Sequence, residues 1–114
     1  MAAGRYNIII EQGASFSKSL SLTDSDSQPW DLSGYSQVRG QIRRHYNSDS
    51  VAATFVITIN GDGTAGTISW GLSPAQTQSL EAAEHLYDIE LVADDGEVTR
   101  LLEGTATVRP NITR

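Results

Sequence analysis

The sequence contains no cysteine, one lysine and two histidines in 114 residues. Without thiols it has neither a disulfide framework nor a thiolate zinc site, which fits folding in a reducing cytoplasm. Positive charge is scarce as well: eight Lys and Arg stand against fourteen Asp and Glu, a net charge of −6. A surface this acidic repels phosphate backbones, which argues against nucleic acid as a partner. Long apolar runs are missing. Ile8-Ile9-Ile10 is far short of the roughly 20 residues that span a bilayer, and "MAAGRYN" has no h-region of a signal peptide. No membrane partner is expected. The sequon Asn111-Ile112-Thr113 would accept a glycan only in a secretory pathway, of which the sequence carries no sign.

The length and the 39% hydrophobic content suit a single domain over 1–114 with one modest core. Strand follows strand, separated by polar turns. Residues 6–11 and 15–23 open the series, and in the second Phe16, Leu20 and Leu22 alternate with serines. "DSDSQP" breaks the chain, and "PWDLSGY" connects, with Trp30 and Leu32 plugging one end of the core. In 36–46, Val38, Gly40 and Ile42 face one way and Arg39, Gln41 and Arg43 the other. Residues 51–60 turn Phe55, Ile57 and Ile59 inward, and "NGDGT" marks a hairpin back into 65–70, where Ile68 and Trp70 share a face.

Ser73-Pro74-Ala75-Gln76 combines an N-cap hydroxyl, proline at the first helical position and glutamine at the third. That pattern predicts a short helix from residue 74 to about 83. Two strands close the chain: 86–93, with Tyr87, Ile89 and Leu91 on one side, and 97–109, with Val98, Leu102, Ala106 and Val108 sharing a face. About seven short strands with one apolar face each predict an all-β, Ig-like antiparallel β-sandwich. A small closed barrel is the alternative. The expected core includes Phe55, Ile57, Trp70, Tyr87, Ile89 and Leu91, with Tyr87 placed like the tyrosine that ties a corner in such sandwiches.

Little catalytic chemistry is offered. His45, at a strand end, and His85, at the helix exit, are both expected at the surface, and no G-x-S-x-G elbow occurs. Asp24 and Asp26 alternate like the start of a calcium loop but lack its glycine and closing glutamate in register. Asp94-Asp95-Gly96 and Gly61-Asp62-Gly63 are hairpin tips. No enzyme activity, metal or cofactor is expected. Arg39, Gln41 and Arg43 form a basic stripe on an acidic protein, either a solvated face or a surface for an acidic neighbour. Trp30 beside Tyr35 would make a sugar platform if exposed, which keeps a carbohydrate-binding module as an alternative of another class.

The order of features is more specific than any one motif. "EQGASFSKSLSLTD", "PWDLSGYSQVRGQIR", "LSPAQTQSL" and "YDIELVADDGEVTRLLEGTATVRPNITR" together resemble a small Ig-like module of tailed-phage virion proteins, similar to the N-terminal domain of phage baseplate upper proteins. The telling pieces are Asp31-Leu32-Ser33-Gly34-Tyr35 with Gln41-Ile42-Arg43, and Tyr87-Asp88-Ile89-Glu90-Leu91 with Glu103-Gly104-Thr105. The resemblance implies a non-enzymatic virion protein of the tail, baseplate or fibre-attachment region, made in the host cytoplasm and assembling in symmetric copies beside other virion proteins. A head decoration or neck protein is the alternative within the virion. The chain is shorter than baseplate upper proteins, so it is expected to dock through its faces, edges or the terminal arms "MAAGR" and "PNITR".

Overall fold

The computed structural model describes residues 4–24 and 26–113. Its strands are β1 (Gly4–Arg5), β2 (Ile8–Glu11), β3 (Phe16–Ser21), β4 (Tyr35–Arg43), β5 (Ala53–Thr54), β6 (Val56–Ile59), β7 (Thr67–Leu72), β8 (Glu84–Ala93) and β9 (Val98–Arg109). They form an Ig-like β-sandwich. The larger sheet runs β1-β9-β8-β4-β5, with β2 also on β9, and the smaller runs β3-β7-β6. Pairing is antiparallel except where β1 and β2 lie parallel to β9. No helix among the described residues is long and apolar enough to cross a membrane.

The alternation of side chains makes the two layers. Ile42, Ile89, Leu91, Ala106 and Val108 point inward from the larger sheet and meet Phe16, Ile68, Trp70 and Leu72 of the smaller. Four aromatic rings form the centre. Trp70 stacks on Tyr87 at 5.8 Å and 22°, and meets Phe55 and Phe16 edge-on at 5.2 and 5.6 Å. The chain 53–59 changes layer at Phe55. Its first two residues pair with β4, the Phe55 N–H donates to the Gly40 carbonyl at 3.0 Å, and the next four pair with β7. Gly40 permits the crossing, since a Cβ there would stand 2.8 Å from the Asp88 carbonyl oxygen and 3.1 Å from the Phe55 ring.

Three expectations are corrected by this geometry. The helix α1 covers only Pro74–Gln78; its capping box forms, with Ser73 Oγ accepting from the Gln76 N–H, but Leu80 then dives into the core. β8 therefore starts at Glu84, and His85 falls in phase with Tyr87, Ile89 and Leu91. It is 2% exposed rather than on the surface, with Nδ1 3.0 Å from the Ala83 carbonyl oxygen. Finally, the register of β9 shifts by a bulge opposite Ile89/Glu90, which turns Val98 outward, away from Leu102, Ala106 and Val108. Ile57 is half-buried, while Phe55, Trp70, Tyr87, Ile89 and Leu91 are buried.

The described parts of the two expected arms are tied to the body of the fold. Arg5 and Gly4 form a strand, and the Asn111 side chain donates to Gln78 Oε1 at 3.1 Å. Met1–Ala3 and Arg114 lie outside the described residues.

Candidate functional site

The three longest strands, β4, β8 and β9, lie side by side and present one polar outer face. Cross-strand register sorts that face into rows: Arg39–Glu90–Arg100, then Gln41–Asp88–Glu103, then Arg43–Leu86–Thr105. The Arg39 Nε donates to Glu90 Oε1 at 3.0 Å. Arg100 reaches Glu90 at 3.5 Å and Asp88 at 3.4 Å. Arg43 donates to the Ser48 carbonyl at 2.9 Å and to Gln41 Oε1 at 3.2 Å, which pins the turn after β4. Arg39, Gln41 and Arg43 do share a face, but Arg39 is paired within the chain and Arg43 is committed to the turn. The stripe is thus not an unopposed positive surface.

Over the second and third rows the face is concave. Gln41, Arg43, His45, Tyr46, Asp88 and Glu103 are among the residues lining a depression of about 350 Å³. Tyr46 is 84% exposed at this depression. Asp88 and Glu103 oppose each other directly, a like-charge pair that costs stability in a sheet. Among the described residues Glu103 has no ion-pair partner. Burial, and then the charges of Glu90 and Glu103, raise the Asp88 carboxyl above its ordinary range, with Arg100 opposing.

A raised folded-state pKa means that ionisation of Asp88 opposes folding. Its contribution is most favourable below the unfolded pKa and worsens as pH rises through the folded value. Asp88→Asn is therefore expected to raise stability at neutral pH by about 0.5 kcal/mol, within the range for cross-strand charge pairs. The gain should shrink on acidification. Thermal melts at neutral and acidic pH measure it, and a lower neutral melting temperature would mean that the Arg100 contact outweighs the repulsion.

Elsewhere the polar residues serve the backbone. Asp24, Asp31, Asp62 and Asp95 each accept an N–H two residues on. The Ser33 and Thr64 hydroxyls, and then their amides, hold Asp31 and Asp62 below the usual carboxylate range. No group of three or more His, Asp or Glu among the described residues is arranged to hold a metal. His45 is exposed and His85 is buried. Trp30 is half-buried, packed against the core and edge-on to Tyr35 at 6.1 Å and 80°, so neither ring offers a free platform of the expected kind. The exposed aromatic beside a depression is Tyr46. Nothing in its sequence context distinguishes it, because the depression forms only when β9 comes beside β8.

The fold and this face define a β-sandwich with a concave, mixed-charge surface. No family model matches the chain, and no curated protein matches it. Among solved structures the chain is similar to a mutant of the SrpA adhesin from Streptococcus sanguinis, with a TM-score of 0.50 and 11% identity. The alignment covers 91% of this chain and 55% of the adhesin chain, so the chain spans about half the length of that structure. The likeness is one of fold.

Proposed function

We propose that the chain is a non-enzymatic structural protein of a tailed-phage virion, in the tail, baseplate or fibre-attachment region. Copies assemble symmetrically and hold neighbouring virion proteins on the outer face of β4, β8 and β9. The observation that carries the docking role is the concave face itself. It rests on the longest hydrogen-bonded strands of the molecule, and it presents an exposed tyrosine beside Glu103 and Arg43. Interface hot spots favour Tyr and Arg on rigid supports. The virion assignment is supported by the ordered resemblance of "PWDLSGYSQVRGQIR" and "YDIELVADDGE" to phage modules, together with the Ig-like fold.

Immunogold electron microscopy with antibody to this polypeptide, on particles and on dissociated virions, tests the assignment. Label at the tail tip supports it. Label on the head moves the protein to decoration or the neck, and absence from dissociated virions overturns the virion role. Tyr46→Ala combined with Glu103→Gln should reduce incorporation at least about tenfold, while raising stability by about 0.5 kcal/mol through relief of the Asp88–Glu103 repulsion. Normal incorporation would remove this face from the interface. Oligosaccharide binding by the isolated chain, abolished by Tyr46→Ala, would favour the carbohydrate-binding alternative.

A further inference from the structure

We propose that β6 is a self-pairing edge: two copies join antiparallel along Val56–Ile59, with a twofold axis at Thr58, making one continuous sheet from the two three-stranded sheets. The inference deepens the reading that the chain assembles with copies of itself, and rests on it for its biological setting.

Main-chain geometry fixes which groups are available. Asn60 N–H donates to the Thr67 carbonyl at 3.0 Å, so Asn60 and Thr67 are a hydrogen-bonded pair of the β6–β7 ladder. Such pairs alternate in an antiparallel ladder. Thr58–Ser69 and Val56–Gly71 are therefore the others, and Ile57 and Ile59 direct their N–H and C=O groups away from β7. Phe55 is in the same phase, and its N–H goes to Gly40 of the other sheet. Beyond Phe55 the hydrogen bonding to β4 stops, although β4 still lies close beside β6. No hydrogen bond among the described residues takes up the Ile57 and Ile59 groups on this side, and an exposed row of such groups is a template for another strand.

The other edges are guarded. β3 carries Lys18 on the same side of the strand as Phe16 and Leu20, with Nζ 5.9 Å from the Tyr6 ring centroid. A charge turned inward on an edge strand blocks pairing. The far edge of the larger sheet is broken into β1 and β2, and carries the Glu11–Arg109 ion pair at 3.4 Å. β5 is two residues long and covers only Gln41 and Ile42; the edge of β4 that it leaves open carries Arg39, which is paired to Glu90. β6, by contrast, reads Val-Ile-Thr-Ile, with no charge and no proline, and Val56 is 66% exposed.

A second copy suits this edge better than an unrelated strand for two reasons. Pairing Ile57 with Ile59 of the copy, and the reverse, satisfies both residues of both chains and brings Thr58 against Thr58, a favourable cross-strand pair. Each copy also carries a net charge of −6, yet the outward positions Ser17, Ser19, Ser21, Thr67, Ser69 and Thr58 are uncharged. The two acidic proteins meet where neither has charge to repel the other.

The chain has no cysteine, so Thr58→Cys is a clean probe. Residues facing each other in a non-hydrogen-bonded antiparallel pair have Cα atoms about 4.5 Å apart, within reach of a disulfide. Under mild oxidation Thr58→Cys should form a covalent dimer at least about tenfold faster than Ser19→Cys, an exposed position on the same outer face but on the guarded strand. In wild type, NMR amide exchange at Ile57 and Ile59 should slow at least about tenfold as concentration rises, and Thr58→Lys should abolish that slowing. Self-association with protection elsewhere would overturn the β6 edge and leave self-assembly standing. Equal cross-linking of the two cysteines, or fast exchange at Ile57 and Ile59 at every concentration, would overturn self-pairing.

Discussion

Trp70→Ala is expected to leave the isolated chain without a cooperative melt. Trp70 sits between Phe16, Phe55 and Tyr87, at ring-centroid distances of 5.6, 5.2 and 5.8 Å, so its indole is the common wall of the aromatic centre. Truncating a core tryptophan costs about 3–5 kcal/mol, and a domain of this size has only about 5–15 kcal/mol in all. The three remaining rings cannot close the gap, because each belongs to a different strand or corner. Trp30 stays as the sole tryptophan, half-buried in wild type, and its emission should shift to that of a solvated indole. A sharp, near wild-type melt would show that Trp70 is not central. Trp70→Phe should be milder than the lost volume suggests. The buried Trp70 Nε1–H has no acceptor among the described residues, and removing an unsatisfied buried donor recovers about 1–3 kcal/mol.

The period-2 signal made most of this architecture legible. Phe16, Ile68, Trp70, Ile89 and Leu91 each sit in runs where one face is apolar, and each is buried. The capping box at Ser73 likewise marked where α1 begins. Its end was not marked, because "SLEAAEHL" suits a helix locally and the burial of Leu80 and His85 depends on strands far away in the chain. The bulge that turns Val98 outward has no local signature either. For the site, alternation showed that Arg39, Gln41 and Arg43 share a face. It did not show that Glu90 lies opposite Arg39, since register between β4 and β8 is a long-range property. The concavity beside Tyr46 belongs to the same class of fact.

Gly104→Ala should detach the N-terminal strand while the sandwich stays folded. β1 and β2 reach β9 in two pieces, and the chain between them, Tyr6-Asn7, crosses over Gly104. A Cβ on residue 104 would stand 2.2 Å from the Tyr6 carbonyl oxygen and 2.8 Å from its carbon, distances that backbone cannot absorb without moving. That carbonyl also accepts the hydroxyl of Tyr87, whose own ionisation is pushed well above the ordinary tyrosine range, chiefly by burial and then by Tyr6. The alanine therefore acts twice: it overpacks the crossing, about 1–3 kcal/mol, and it strands the Tyr87 hydroxyl, about 1–3 kcal/mol more. Together these rival what two short strands gain from burying Ile8 and Ile10. Loss should appear as fast exchange at the Tyr6 amide, which otherwise donates to Glu103 at 2.9 Å, with β4 and β8 still protected. Tyr87→Phe removes the donor alone and should cost only about 1 kcal/mol. In the double variant the two effects should fall short of their sum, because the clash has already broken the bond that the phenylalanine removes. Strict additivity would show that Gly104 and Tyr87 hold the N-terminal strand independently.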